Sequence, residues 1–158
     1  MIPANVIGHF LAWTALAGLL GALAMLAVLW AFTTSGLAHV RLLVSVGSLL
    51  TRSYENAAVV GGTIHIGLGI FFAQIYAFLM MQIAHPGFGP NLAWGAIIGM
   101  MHGLIMSLVL IAAVAEVHPL AEFQKRSFAI ALCHWVGHVA YGLVVGGVIG
   151  LSGLIVAR

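Results

Sequence analysis

Two long stretches of this chain carry no charge: none of the forty residues from Met1 to Val40, and none of the sixty from Asn56 to Ala115, is Asp, Glu, Lys or Arg. A water-soluble domain cannot be covered this way, since roughly a quarter of its residues are charged. Here only 5% of 158 residues are charged, against 63% hydrophobic. The uncharged stretches exceed the roughly 18 to 20 residues that cross a bilayer. The sequence therefore reads as an all-α integral membrane protein.

The few charges exclude other classes. A net charge of +2 without a basic run gives no support for nucleic-acid binding or a polybasic lipid patch. Cys133 stands alone, so neither an internal disulfide nor a cysteine-rich metal site is available. The N-terminus lacks the positive region of a cleaved signal peptide, and none is expected. There is no Asp, and each Glu lies near a segment edge. Catalysis by paired carboxylates within a membrane is thus unsupported, and without a metal the chain is not expected to be an enzyme.

Turn residues and charges divide the chain into four expected spans: about His9 to Phe32, Ala57 to Ala84, Asn91 to Glu116 and Phe128 to Val156. Each is long enough for a hydrocarbon core of roughly 30 Å at about 1.5 Å per residue. The link His85-Pro-Gly-Phe-Gly-Pro90 is a short turn, because its prolines and glycines oppose helix continuation. In the first link Arg41, Ser45, Ser48 and Arg52 recur at helical spacing opposite Val40, Leu43, Val46 and Leu50. That pattern predicts one interfacial amphipathic helix on the membrane surface, with Gly47 as a mild weakness on its apolar side. Arg41, Arg52, Lys125 and Arg126 lie in two links on one side, with only Arg158 on the other. The positive-inside tendency makes those links cytoplasmic and puts both termini outside. Trp13, Trp94 and Tyr54 fall near span ends, where aromatic anchors belong.

The chain also matches itself. At an offset of 81, ten of 21 positions from Leu11 to Ala31 are identical to Leu92 through Ala112, among them Trp13/Trp94, Gly18/Gly99 and Met25/Met106. At an offset of 73, Arg52/Lys125, Ala58/Ala131, His65/His138 and Gly69/Gly142 correspond. We read one membrane domain over residues 1–158, a duplicated two-helix hairpin with repeats at 9–84 and 91–156, forming a pseudo-twofold four-helix bundle. Gly95, Gly99 and Gly103, and Gly142, Gly146 and Gly150, form stripes suited to close helix contact.

Eight histidines remain in a chain nearly free of ionisable groups. Counting along the spans puts His65, His102, His134 and His138 near mid-depth, in a slab about 10 Å thick. Polar groups there should point inward and find partners or ligands. His65 and His138, equivalent in the repeat, are the expected pair for bis-imidazole heme b, and His102 or His134 would complete a copper or zinc site. Met100, Met101, Met106 and Cys133 are nearby soft donors for Cu(I). Tyr76 and Tyr141 can donate to a propionate, a water or a histidine, and Gly69 and Gly142 would leave room for a macrocycle. His9, His39, His85 and His118 sit at edges and are expected to face headgroups or water.

The string His138-Val-Ala-Tyr-Gly142 resembles the H-x-x-Y-G helices of uncharacterised small four-helix bacterial inner-membrane proteins. His65-Ile-Gly-Leu-Gly69 departs from that pattern at Leu68. The resemblance implies a fold and an inner-membrane location but no activity. Met101-His-Gly-Leu-Ile-Met106 is similar to the heme-ligating H-G-x-x-M helix of heme-copper oxidases, matching at His102, Gly103 and Met106. The oxidase's other histidine motifs are missing, so oxygen reduction does not carry over. The expected function is heme or metal binding in an electron-transfer or accessory subunit, with other membrane subunits or a second copy as partners. A structural subunit without cofactor and a proton or small-solute transporter are the alternatives.

Overall fold

The computed structural model describes residues 3–83, 85–125 and 127–155. Ala84, Arg126, Val156 and Arg158, which bear on two expected span ends and on the basic-residue count, lie outside the described residues. Among those residues all regular structure is helical: α1 Ala4–Thr34, α2 Leu42–Thr51, α3 Ala57–Ile83, α4 Phe88–Val109, α5 Ala115–Val117 and α6 Phe128–Ser152. A π-helical turn, Leu110–Val114, joins α4 to α5, and a 3-10 turn, Ala121–Gln124, precedes α6. Four helical runs are long and apolar enough to cross a membrane: α1, α3, the run Phe88–Val117, and α6.

The start of one helix differs from expectation for an identifiable reason, and the start of another falls where expected. Helix α4 begins at Phe88 rather than Asn91, because Pro90 falls in the first turn, where a missing N–H costs nothing. Gly87, at φ +112°, supplies the preceding bend. The start of α6 is capped by Ser127, whose Oγ accepts the Ile130 N–H at 3.3 Å.

Small residues set the packing. Helix α6 rests most extensively on α4, then on α1, while α1 also packs on α3. The order around the bundle is therefore α3, α1, α6, α4. The remaining seam, between α4 and α3, is only lightly closed. A Cβ on Gly95 would fall on the Gly142 carbonyl, and a Cβ on Gly142 would fall on the Gly95 carbonyl and lie 2.9 Å from Gly99 Cα. Across the other hairpin, a Cβ on Gly18 would lie 2.5 Å from the Gly69 oxygen. Such contacts need glycine on both helices, the close approach that van der Waals packing favours between apolar helices.

Helix α2 packs on α3 by a face that joins Leu43 and Gly47, of the expected apolar side, to Ser48, of the expected polar side. Gly47 and Ser48 are buried, and a Cβ on Gly47 would fall on the Ala57 carbonyl. Gly47 is thus a requirement of the crossing rather than a weakness. Ser48 fits inside because its hydroxyl donates to Val44 O at 2.6 Å, within its own helix. Leu50, expected on the apolar side, is exposed.

The two charged links meet at one end of the bundle. Arg41 Nη1 contacts both Glu122 carboxylate oxygens, at 3.0 and 3.1 Å, and the Tyr54 hydroxyl donates to Oε2 at 2.9 Å. The Tyr54 hydroxyl and the Arg41 guanidinium hold the Glu122 carboxyl below its ordinary value, while the same bond to Glu122 raises the Tyr54 phenol. His118 also lies here, buried rather than facing water: its Nε2–H donates to Ser45 O at 3.0 Å and Nδ1 accepts the Leu120 N–H at 3.1 Å. Two backbone partners satisfy both ring nitrogens, which removes the penalty of burial. At the opposite end His9 Nε2 donates to Ser152 O at 3.2 Å, so the start of α1 and the end of α6 lie together.

Candidate functional site

Midway along the helices a cavity of about 120 Å³ opens behind the α3/α4 seam. Its walls include His65, His102, His134 and His138, so the four histidines singled out by depth converge on one space. Three of them have a ring nitrogen held by a hydrogen bond. His65 donates Nε2–H to Ala22 O at 3.1 Å. His138 donates Nδ1–H to His134 O at 3.0 Å, one turn back on α6. His102 Nδ1 is 3.0 Å from the Tyr76 hydroxyl. Its ring lies against Phe72, with centroids 4.4 Å apart.

Hydrogen bonding fixes the tautomers of two rings. A carbonyl only accepts, so the proton of neutral His138 sits on Nδ1 and that of neutral His65 on Nε2. The lone pairs are left at His138 Nε2 and His65 Nδ1. This is the arrangement of a metal-ligating histidine, whose other ring nitrogen donates to a carbonyl or carboxylate. Two more ring nitrogens, His102 Nε2 and His134 Nδ1, are buried without a hydrogen-bond partner. Leaving such groups unpaired costs about 1 to 3 kcal/mol each, which a ligand or water in the cavity would recover.

The rings also form a file. His134 and His138 have centroids 4.6 Å apart, and His138 and His102 have centroids 4.8 Å apart, both edge to face. Among the described residues no three His, Cys, Asp or Glu side chains stand ready as a metal-binding group.

Both expected tyrosines belong to the cluster in different ways. Tyr76 supports His102, whereas Tyr141 lines the cavity and donates its hydroxyl to Gly69 O at 2.6 Å. Of the soft donors, Met106 lines the cavity; Met100 and Met101 are exposed. Cys133 is buried but is not part of the lining. Met25 was missed as a donor and lines the cavity too; its identity with Met106 in the self-match was the available signal. Gly142 is taken up by helix contact against Gly95 and Gly99, whereas Gly69 lies against Gly18 and Ala22 and also lines the cavity.

A second cavity, of about 300 Å³, lies at the charged end between α2, the π-helical turn and α6. His39, Arg41, Glu122 and Lys125 are among its walls, and so is His134, which therefore borders both spaces. Set against known proteins, the chain matches no protein family, no curated protein and no solved structure.

Proposed function

We propose that this is a multi-pass membrane protein that binds one copper(I) ion in the histidine cavity. The observation that carries this reading is the donor set: His65 and His138 share the cavity with Met25 and Met106, two pairs that are equivalent in the self-match. Imidazole and thioether are ligands for Cu(I). No carboxylate lines this cavity, so a divalent ion would enter an apolar site without compensating charge. The Born penalty grows with the square of the charge, which favours a monovalent ion. His102, with its unpaired Nε2, is the third candidate nitrogen. Binding requires side-chain rotation toward the ion. When bound, the ion would supply one-electron chemistry to a partner subunit.

Heme b fits less well. The cavity lies below the roughly 300 to 1,000 Å³ of pockets for drug-sized ligands, and the His102 and His138 rings are already in edge contact.

Membrane insertion is supported by the four long apolar helices and by an outer surface carrying Phe71, Phe78, Met101, Leu104 and Ile105. The duplicated hairpin is supported by contacts at equivalent positions. Gly18 meets Gly69 as Gly99 meets Gly142, and His65 bonds Ala22 where His138 packs on Gly103. In this reading the charged links face the cytoplasm of a bacterial inner membrane.

Protein purified from its native membrane should contain about one copper per chain by plasma mass spectrometry, with no Soret band. His65→Ala combined with His138→Ala should contain none. Absence of stoichiometric metal, or presence of a Soret band, rejects the reading. A second function, proton relay, is favoured by the file His134–His138–His102–Tyr76. It predicts proton flux in proteoliposomes that His138→Phe abolishes.

A further inference from the structure

We infer, on the metal-binding reading above, that the vestibule between α2, the π-helical turn and α6 is the entrance to the histidine cavity, and that the His134 side chain is its gate. Charged side chains border the vestibule: its His39, Arg41, Glu122 and Lys125 walls are exposed, whereas Leu110, Ile111 and Ile130 give it an apolar wall. Leu42 and His134 belong to both linings, and of the two only His134 carries a polar side chain. It is itself 93% buried, the complement of its 7% exposure, and its Nδ1 has no partner. An unpaired donor or acceptor on a shared wall can bond an ion's ligand shell or a water from either side when the ring turns.

The other approaches are closed by packing or by energy. Beyond the cavity, toward the end where His9 meets Ser152, the interior is filled by Tyr76, Met80, Val145 and Ile149, each at most 2% exposed. The α3/α4 seam is loose, but its outer flanks are apolar, and an ion arriving there would first have to cross hydrocarbon. The π-helical turn adds an independent indication. Gly95, Gly99 and Gly103 hold α4 tightly against α6, and Ser107 donates to Ala131 O at 2.9 Å. Three residues later the helix widens into the π turn, and Leu110 and Ile111 of that turn line the vestibule. Isolated π turns recur at functional sites, where the altered register frees space and backbone groups.

The gate also has a local reference. Cys133, its neighbour in sequence, is buried and lines neither cavity. In proteoliposomes, the native Cys133 should resist a small charged methanethiosulfonate reagent, while His134→Cys in a Cys133→Ala background should react. Ser45→Trp or Ile130→Trp, each filling a vestibule wall, should slow that reaction by about tenfold or more. Gly8→Trp, at a position with no neighbour within 4 Å at the opposite end, should leave it unchanged. The same vestibule substitutions should slow copper(I) loading without lowering the final stoichiometry. An unreactive thiol at position 134, or reactivity indifferent to the vestibule substitutions, overturns the entrance. Failure of wild-type protein to bind copper with the thiol pattern intact would instead overturn the metal reading alone.

Discussion

Gly142→Ala tests the contact that positions the site, because it adds one methyl group where α4 and α6 are closest. The new Cβ would fall on the Gly95 carbonyl oxygen and lie 2.9 Å from Gly99 Cα, against an ordinary contact that begins at 3.4 Å. At least 3.4 − 2.9 = 0.5 Å, and more to clear the closer carbonyl oxygen, has to come from moving one helix, since both obstructing atoms are backbone and no rotamer change relieves them. Overpacking costs about 1 to 3 kcal/mol, and an unyielding neighbour puts this case near the upper end. Alanine recovers about 1 kcal/mol of helix propensity, leaving a net loss of about 2 kcal/mol. Gly67→Ala is the matched control: it lies within α3 and has nothing within 4 Å of its new Cβ. It keeps only the propensity gain and should be more stable than wild type by up to about 1 kcal/mol. Unfolding in mixed micelles can be followed through Trp135, whose indole N–H donates to Met100 O across the same contact at 2.9 Å. The two variants should then differ by about 3 kcal/mol. A difference below about 0.5 kcal/mol, the scatter of neutral surface changes, would refute the close approach of α4 and α6.

Three further perturbations address other parts of the structure. Tyr141→Phe removes the 2.6 Å hydrogen bond to Gly69 O and should cost about 1 kcal/mol in the same unfolding assay. Gly47→Ala drives a methyl group into the Ala57 carbonyl and should unseat α2 from α3, seen as faster proteolysis between Arg41 and Asn56 while the unfolding midpoint of the four long helices changes little. Glu122 has a depressed folded value, so its contribution is fully present above the ordinary 4.5 and is lost as pH falls through the lower folded value. The effect is small because both partners are exposed. Comparing wild type with Glu122→Gln by unfolding from about pH 7 to about pH 3 should show their difference disappearing at the acid end.

The four long apolar helices were legible because an uncharged stretch of that length has few other structures open to it, and the self-match was legible because Trp13 and Trp94 anchor it. The convergence of His65, His102, His134 and His138 was also legible, since depth along a helix follows from counting residues. What escaped was everything that depends on direction around a helix. In a chain this apolar a hydrophobic periodicity does not distinguish inside from outside, so the pattern puts Ser48 on the polar side of α2 although it is buried. There small size is the inward signal, and Gly47 is its clearest instance. The π turn at Leu110–Val114 left no trace in an unbroken apolar run. Nor was the vestibule visible, because Arg41 and Glu122 meet across 81 residues of sequence.

On the duplicated-hairpin reading, one unmatched pair accounts for the cavity's place. Gly21 allows Tyr141 and Val145 to lie on α1, where its missing Cβ would come 2.8 Å from the Tyr141 ring. Its equivalent at the offset of 81 is His102, and the equivalents of Tyr141 and Val145 at the offset of 73 are Leu68 and Phe72. A ring thus stands in one seam where the other has a hydrogen atom. The α1/α6 seam closes fully, and the α3/α4 seam is held apart by the His102 imidazole against Phe72. The cavity lies behind that seam, and His65, His138, Met25 and Met106 are all in its lining. On that reading the repeat would supply the paired donors, and its local mismatch the space between them. The same argument predicts the converse of a conventional core truncation. His102→Gly should bring α3 and α4 closer and shrink the cavity rather than enlarge it, and copper should be lost even though His65 and His138 remain. Retention of stoichiometric copper in that variant would show that the seam, and not the histidine within it, sets the volume.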